Sequence, residues 1–117
     1  MTVEECYKEM GADYNEISHR FPSDKFIKKF AIKFLDDPSF PDLEKYLAEQ
    51  NVGEAFRAVH TLKGVVQNLA FVQLYPLSVE LTEILRAGKL EGTAPLLAQL
   101  KVKYDLTIRC IQDMAKE

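Results

Sequence analysis

One apolar stripe in the middle of the chain most limits what this sequence can fold into. Its members follow one another at spacings of 4, 3, 4 and 3 residues: Ala55, Val59, Leu62, Val66 and Leu69. That spacing keeps them on one side of an α-helix and is typical of a helix packed inside a bundle. We therefore predict a helix from about Val52 to Leu69 or Ala70, with Asn51 as its N-cap.

The remainder of the chain indicates further helices separated by short breaks. Two short ones are predicted at Val3–Met10 and from Asp13 or Asn15 to about Arg20. Longer ones follow at Asp24–Leu35 after a Ser23 cap, Asp42–Gln50, Val72–Ala87 before Gly88, and from a Thr93 cap to about Ala115. No alternating apolar run and no hairpin turn indicates a strand. The predicted fold is all-α: an up-and-down antiparallel four-helix bundle with short N-terminal helical additions.

Length and charge narrow the class of function. The chain has 117 residues, which predicts a single domain over residues 1–117. With 18 acidic and 15 basic residues, a net charge of −3 argues against a nucleic-acid partner. No apolar run is long enough for a membrane span, and the acidic N-terminus does not resemble a signal peptide. Cys6 and Cys110 are too few for a disulfide framework, so we expect reduced thiols, a cytoplasmic location and no membrane partner.

His60 is predicted to point away from the core. On a helix of about 100° per residue, it lies roughly 140° from the centre of the apolar stripe, and Gly64 lies roughly opposite that centre. Lys63, at roughly 80°, lies on the flank one turn beyond the histidine. A glycine inside an exposed helix lowers helix stability by about 1 kcal/mol relative to alanine, so Gly64 needs a structural or functional explanation.

Two interpretations of this group differ in kind. In the first, Gly64 is a tolerated surface glycine and Lys63 belongs to a solvated face. In the second, the missing side chain leaves a notch through which another macromolecule approaches His60, and Lys63 meets phosphoryl oxygens there. The combination of a histidine, a lysine and a glycine on one outward face favours the second interpretation.

The stretch AFRAVHTLKGVVQNLAF, followed by ELTEILRAG, resembles a histidine-containing phosphotransfer (HPt) domain of bacterial multistep phosphorelays. The family's His-x-Leu-Lys-Gly motif is matched by residues 60–64. Its Leu-x-x-x-Leu-Arg-x-Gly pattern is matched by Leu81, Leu85, Arg86 and Gly88. The segments GADYNEISHRF and FLDD also look like bacterial members, so the resemblance covers essentially the whole chain.

The resemblance implies that His60 is the phosphoacceptor, with Lys63 stabilising phosphoryl charge and Gly64 giving a receiver domain access. The phosphoryl group would come from a receiver-domain aspartyl phosphate and pass to another receiver. The expected partners are response-regulator receiver domains, a hybrid histidine kinase, or both, and the protein is expected to be a monomeric phosphocarrier rather than an enzyme. It needs no cofactor of its own, because the Mg²⁺ belongs to the receiver.

A side chain that sets the tautomer of His60 is a further expectation from the resemblance. The candidates are Thr82 and Glu83 on the next helix and Gln67 on the same helix. Thr82 departs from the Gln or Glu that the family often carries, and it is shorter. Ala70, where the family often has glycine, should leave the helix end less sharply defined.

The remaining histidine and a run of lysines are interpreted as surface features. His19 is interpreted as a surface or capping histidine, and the run Lys25, Lys28, Lys29 and Lys33 as a solvated face or an aid to docking an acidic partner. No metal-hydrolase, nucleotide-loop or serine-hydrolase motif is present. The alternative functions are an HPt-like docking adapter without transfer, and the phosphoacceptor domain of a larger histidine kinase.

Overall fold

A computed structural model describes all 117 residues and contains no strand. Its elements are α1 (Val3–Met10), α2 (Tyr14–Arg20), α3 (Asp24–Lys33), the 3₁₀ helix η1 (Phe34–Asp36), α4 (Ser39–Ala48), α5 (Val52–Asn68), α6 (Tyr75–Arg86) and α7 (Thr93–Ala115). The all-helical prediction is confirmed. None of these helices combines the length and the apolarity that a membrane crossing requires.

Most helix starts are where side-chain caps predicted them. Asp13, Ser23 and Asn51 each accept a hydrogen bond from the backbone N–H three residues on. The predicted Thr93 cap is wrong: Gly92 occupies the cap position with a left-handed φ of 88°, and the Thr93 hydroxyl instead donates to the Leu90 carbonyl oxygen. Here the chain must turn sharply into α7, and a glycine adopts that conformation without strain.

The start of α6 lies three residues later than predicted. The pattern indicated a helix from Val72, but residues 71–74 form a turn closed by a hydrogen bond from Leu74 N to Phe71 O. The aromatic ring of Phe71 is fully buried against Tyr7 and Phe34. Burial of that ring holds the turn, so tertiary packing overrides the local helical pattern.

The polypeptide from α3 to α4 runs antiparallel to α7 as a helical arm broken near Asp37. The Tyr104 ring of α7 contacts Phe34, which precedes the break, with ring centroids 5.8 Å apart. It also stacks on Phe40, which follows the break, with centroids 4.1 Å apart. Farther along, Lys101 pairs with Glu44 at 3.8 Å. Phe34 and Phe40 contact Tyr104, and the later residue Glu44 contacts the earlier residue Lys101. The two segments therefore run in opposite directions.

α5 packs between α4 and α6, and α6 packs against α7. Every residue of the predicted stripe is buried, which confirms the inward face of α5. At its other side α6 is antiparallel to α7, since Gln73 Nε2 donates to Thr107 Oγ1 while Ile84 lies near Gly92. The fully buried leucines and isoleucines of these helices each contribute about 1.5–3 kcal/mol by leaving water.

Residues of the N-terminal segment form hydrogen bonds with the chain at the C-terminal end of α5. The buried Tyr7 hydroxyl donates to Leu69 O at 2.9 Å, and Asp13 N donates to Ala70 O at 3.0 Å. Ala70 adopts a left-handed φ of 58°, with Phe71 N bonded to Val66 O as in a Schellman motif. The expectation that Ala70 leaves this end poorly defined is therefore wrong, because long-range hydrogen bonds compensate for the missing glycine.

Candidate functional site

His60 lies on the exposed face of α5, as predicted from its angle to the stripe. Its ring packs against that of Phe56, one turn earlier, with centroids 5.6 Å apart and planes tilted by 32°. Neither ring nitrogen has a hydrogen-bond partner among the protein's side chains, so both remain available on the surface. The spacing of four residues places Phe56 directly beside the histidine.

Gly64 opens the opposite side of the histidine. A Cβ atom built on this glycine would meet nothing within 4 Å. Gly64 also lines a shallow polar depression, whose other residues are Arg20, Gln67 and Asn68. The structure therefore combines a ring covered on its Phe56 side with open space on its Gly64 side.

Lys63 is half-buried on the flank of α5 and has no carboxylate within ion-pair distance. The two other cations near the histidine are both engaged. Arg57 lies 3.4 Å from Glu54, and Arg86 lies 3.4 Å from Glu83. Lys63 is thus the cation near His60 whose charge is not already matched by an acidic side chain.

Arg86 and Phe56 are site residues that sequence reasoning did not assign. The Arg86 guanidinium lies 5.2 Å from the centre of the Phe56 ring, which in turn contacts His60. Phe56 carried a usable signal, since it precedes His60 by four residues on one helix. Arg86 belongs to α6, and no local spacing could place it there.

The three candidates for setting the tautomer of His60 have other positions. Thr82 is fully buried and its hydroxyl donates to Ser78 O at 2.6 Å, because position 82 lies on the inward face of α6 with Leu81 and Leu85. Glu83 is exposed and engaged with Arg86. Gln67 is exposed two turns from the histidine, in the depression beside Gly64. None of the three is hydrogen-bonded to the imidazole.

The second histidine is separate from this group. His19 is exposed near the end of α2, and its Nδ1 lies 2.7 Å from the Asn15 carbonyl oxygen. Nowhere do three or more His, Cys, Asp or Glu side chains come close enough together to hold a metal ion. His60 and His19 therefore differ in their surroundings, which makes His19 a natural reference for the chemistry of His60.

Comparison with known proteins agrees with this geometry. The family model described as Hpt domain matches residues 37–114, about two thirds of the chain, including all of α4 to α6 and most of α7. Searches of curated proteins and of solved structures each found no match. Hpt domains take part in histidine phosphotransfer within phosphorelays. The chain belongs to the Hpt domain family.

Proposed function

We propose that His60 accepts a phosphoryl group from the aspartyl phosphate of a receiver domain and passes it to another receiver. The observation that carries the proposal is the exposed imidazole between Phe56 and the open space at Gly64. The family match supports histidine phosphotransfer as the general role. His60 lies within the matched residues and on the surface, whereas His19 lies outside the match.

The proposed transfer is a substitution at phosphorus. The lone pair of Nε2 on the neutral imidazole forms the new N–P bond, and the bond between phosphorus and the aspartyl oxygen breaks. The electron pair of that bond leaves with the receiver's carboxylate, while the proton of the ring stays on Nδ1. The reverse substitution, by the carboxylate of a second receiver, returns the histidine to its starting state.

Lys63 is the proposed charge partner of the phosphoryl group. An ammonium one turn from His60 reaches phosphoryl oxygens by charge-assisted hydrogen bonds, and no acidic residue competes for it. Arg86 lies over Phe56 on the other side of the ring, but its charge is matched by Glu83. Gly64 is proposed to let the receiver's backbone approach, because the space above its Cα is empty.

In this proposal the domain is a carrier rather than an enzyme. It contributes the nucleophile and a docking surface, and the receiver contributes its acidic pocket and Mg²⁺. A hybrid histidine kinase could supply the receiver that donates the phosphoryl group.

We propose that the domain works as a cytoplasmic monomer. We also propose that α4 to α7 form the up-and-down antiparallel four-helix bundle, and the packing of α5 between α4 and α6 supports this.

The proposal is tested by incubating the protein with purified receiver domains phosphorylated in the presence of Mg²⁺. We expect acid-labile, base-stable label on the wild type and on His19→Gln, and none on His60→Gln. Label on His60→Gln would assign the acceptor elsewhere. Stable complexes with receivers that give no label on the wild type would favour the docking-adapter function.

A second variant addresses the charge partner. Lys63→Ala is expected to slow transfer or shorten the half-life of the phosphohistidine, since the phosphoryl charge loses its unpaired cation. Lys45→Ala is the matched control, because Lys45 is an exposed lysine that contacts the Tyr46 ring on α4. Equal rates and half-lives in both variants would remove Lys63 from the proposed site.

A further inference from the structure

Positive charge is concentrated in one segment that precedes the residues matched by the family model. Residues 20–33 contain five basic residues and one acidic residue, a net charge of +4. The rest of the chain contains ten basic and seventeen acidic residues, a net charge of −7. The small overall charge therefore hides a strongly basic segment on an acidic protein.

Within that segment, one face of α3 forms a surface that we call the basic-aromatic patch: Lys25, Phe26, Lys29, Phe30 and Lys33. Its three lysines have no carboxylate within ion-pair distance. The ammonium groups of Lys33 and Lys29 lie 4.9 and 5.9 Å from the centre of the Phe30 ring. Phe26 packs on Phe30 at 4.9 Å yet remains 40% exposed.

Several of the chain's other basic groups have hydrogen-bond or ion-pair partners, although Lys45 on α4, like Lys29 and Lys33, lies against an aromatic ring without a counter-charge. Lys28, on the opposite side of α3, donates to the terminal Glu117 carbonyl oxygen. Elsewhere, Arg57, Arg86 and Lys101 are paired with acidic side chains. The patch thus presents unmatched positive charge beside exposed apolar area, a combination suited to an acidic protein surface.

The patch is continuous with the face that carries His60. Phe30 and Lys33 line a depression whose opposite wall is formed by Val65 and Asn68 of α5. Asn68 also borders the next depression, which contains Gly64. Eight residues of helix separate His60 from Asn68, a distance of about 12 Å.

A typical docked protein covers a large enough area to include both places. An interface of about 800 Å² on one partner corresponds to a disc of radius about 16 Å. A receiver centred on His60 therefore reaches Asn68, which shares a depression with Lys33 and Phe30 of the patch.

We propose that the basic-aromatic patch is a second contact surface for the receiver domain, binding acidic and apolar side chains at the rim of its phosphorylation pocket. This inference rests on the proposed function of His60. The lysines steer the acidic receiver toward the histidine and raise the association rate, while Phe26 and Phe30 contribute apolar contact once the receiver has docked. The patch selects the partner without taking part in the bond exchange.

The test measures the second-order rate of transfer from a phosphorylated receiver that labels the wild type. The variant Lys29→Glu/Lys33→Glu is compared with Lys103→Glu/Lys116→Glu, which changes the same charge on two exposed lysines of α7 and the chain's end. We expect the patch variant to be about tenfold slower at low salt, with the difference shrinking as salt is raised. The control should stay within about twofold of the wild type, and the half-life of the phosphohistidine should not change in either protein.

The outcomes separate the two proposals. A wild type that no receiver labels would overturn the proposed function, and this inference with it. A labelled wild type with equal rates for the two double variants, each shown by circular dichroism to be folded, would overturn this inference alone. Binding of the wild type to phosphatidylserine vesicles that the patch variant loses, with transfer unchanged, would also overturn it and assign the patch to a lipid surface.

Discussion

Arg20 Nη1 donates a 2.8 Å hydrogen bond to the carbonyl oxygen of Asn68, so a residue of α2 closes the C-terminal end of the helix that carries His60. The same atom donates to Gln67 O at 2.8 Å, and Nη2 pairs with Glu16 at 2.6 Å. Carbonyl groups at a helix end lack partners within the helix, and a cation there also complements the helix dipole. Arg20 thus gives the Asn68 oxygen a partner and the Gln67 oxygen a second one, beside the backbone N–H of Ala70.

Arg20→Gln is expected to lower the free energy of unfolding by about 1.5–3 kcal/mol, because it removes charge-assisted hydrogen bonds to the end of α5. Arg57→Gln, which removes only an exposed pair with Glu54, should stay within about 0.5 kcal/mol of the wild type. Urea unfolding of the two variants gives the comparison. Equal losses would show that Arg20 does not stabilise the helix end.

Gly64→Ala should stabilise the fold by about 1 kcal/mol, since the added methyl group meets nothing and alanine is the better helix former. Gly64→Gln should fold as well but slow phosphotransfer at least about tenfold, because its side chain fills the approach to His60. Gly53→Gln, near the start of α5, is the reference for a glutamine that blocks nothing. If Gly64→Gln transferred as fast as Gly53→Gln, Gly64 would have no role in access.

Gln50→Gly should raise the free energy of unfolding, by about 0.5 kcal/mol. Gln50 adopts a left-handed φ of 57° after α4, which costs an L-residue about 1–2 kcal/mol, more than the added freedom of an unfolded glycine. Gln99→Gly, within α7, should instead destabilise by about 1 kcal/mol. The thermal midpoint should therefore rise for Gln50→Gly and fall for Gln99→Gly. Midpoints that shift in the same direction for both variants would show that the left-handed conformation of Gln50 is not strained.

Stability should fall at alkaline pH. Burial, with the nearby Cys110 as the second cause, raises the pKa of the Cys6 thiol from its ordinary value of 9.0 to about 12. Between these values the unfolded chain has lost a proton that the folded chain keeps, so the free energy of unfolding decreases as pH rises, by up to about 1.4 kcal/mol per unit for this group. Urea unfolding at pH 8, 9 and 10 should show a shallower decrease for Cys6→Ala than for the wild type, and identical slopes would contradict the assignment.

Local signals predicted the fold wherever a helix buries a regular stripe. The run from Ala55 to Leu69 located α5, and Ser23 and Asn51 correctly located two helix starts. The errors include the start of α4, which is Ser39 rather than Asp42, where the Asp37 carboxylate accepts a hydrogen bond from Ser39 N. The other errors are at Val72 and Thr93, where a buried ring and a left-handed glycine determine the backbone. Burial of the Phe71 ring depends on contacts between distant parts of the chain, which no local pattern reports, whereas the turn at Gly92 reflects the conformational freedom of glycine itself.

The candidate site likewise contains some features that local sequence predicts and others that depend on packing between helices. The outward position of His60 and the empty space at Gly64 follow from helical angles alone. Thr82, by contrast, was a candidate from the family resemblance, yet its side chain is buried on the inward face of α6. Arg86 reaches the histidine's neighbour only through the packing of α6 on α5.

Phe56 covers one side of His60 and leaves the other side open, which on the proposed function has a kinetic consequence. A donor and an acceptor that need the same approach cannot be bound together, so they must take turns. Steady-state transfer should then give parallel double-reciprocal plots, and an excess of unphosphorylated acceptor should inhibit loading by the donor. The flow of signal through the protein would depend on the ratio of its two partners as much as on the concentration of either.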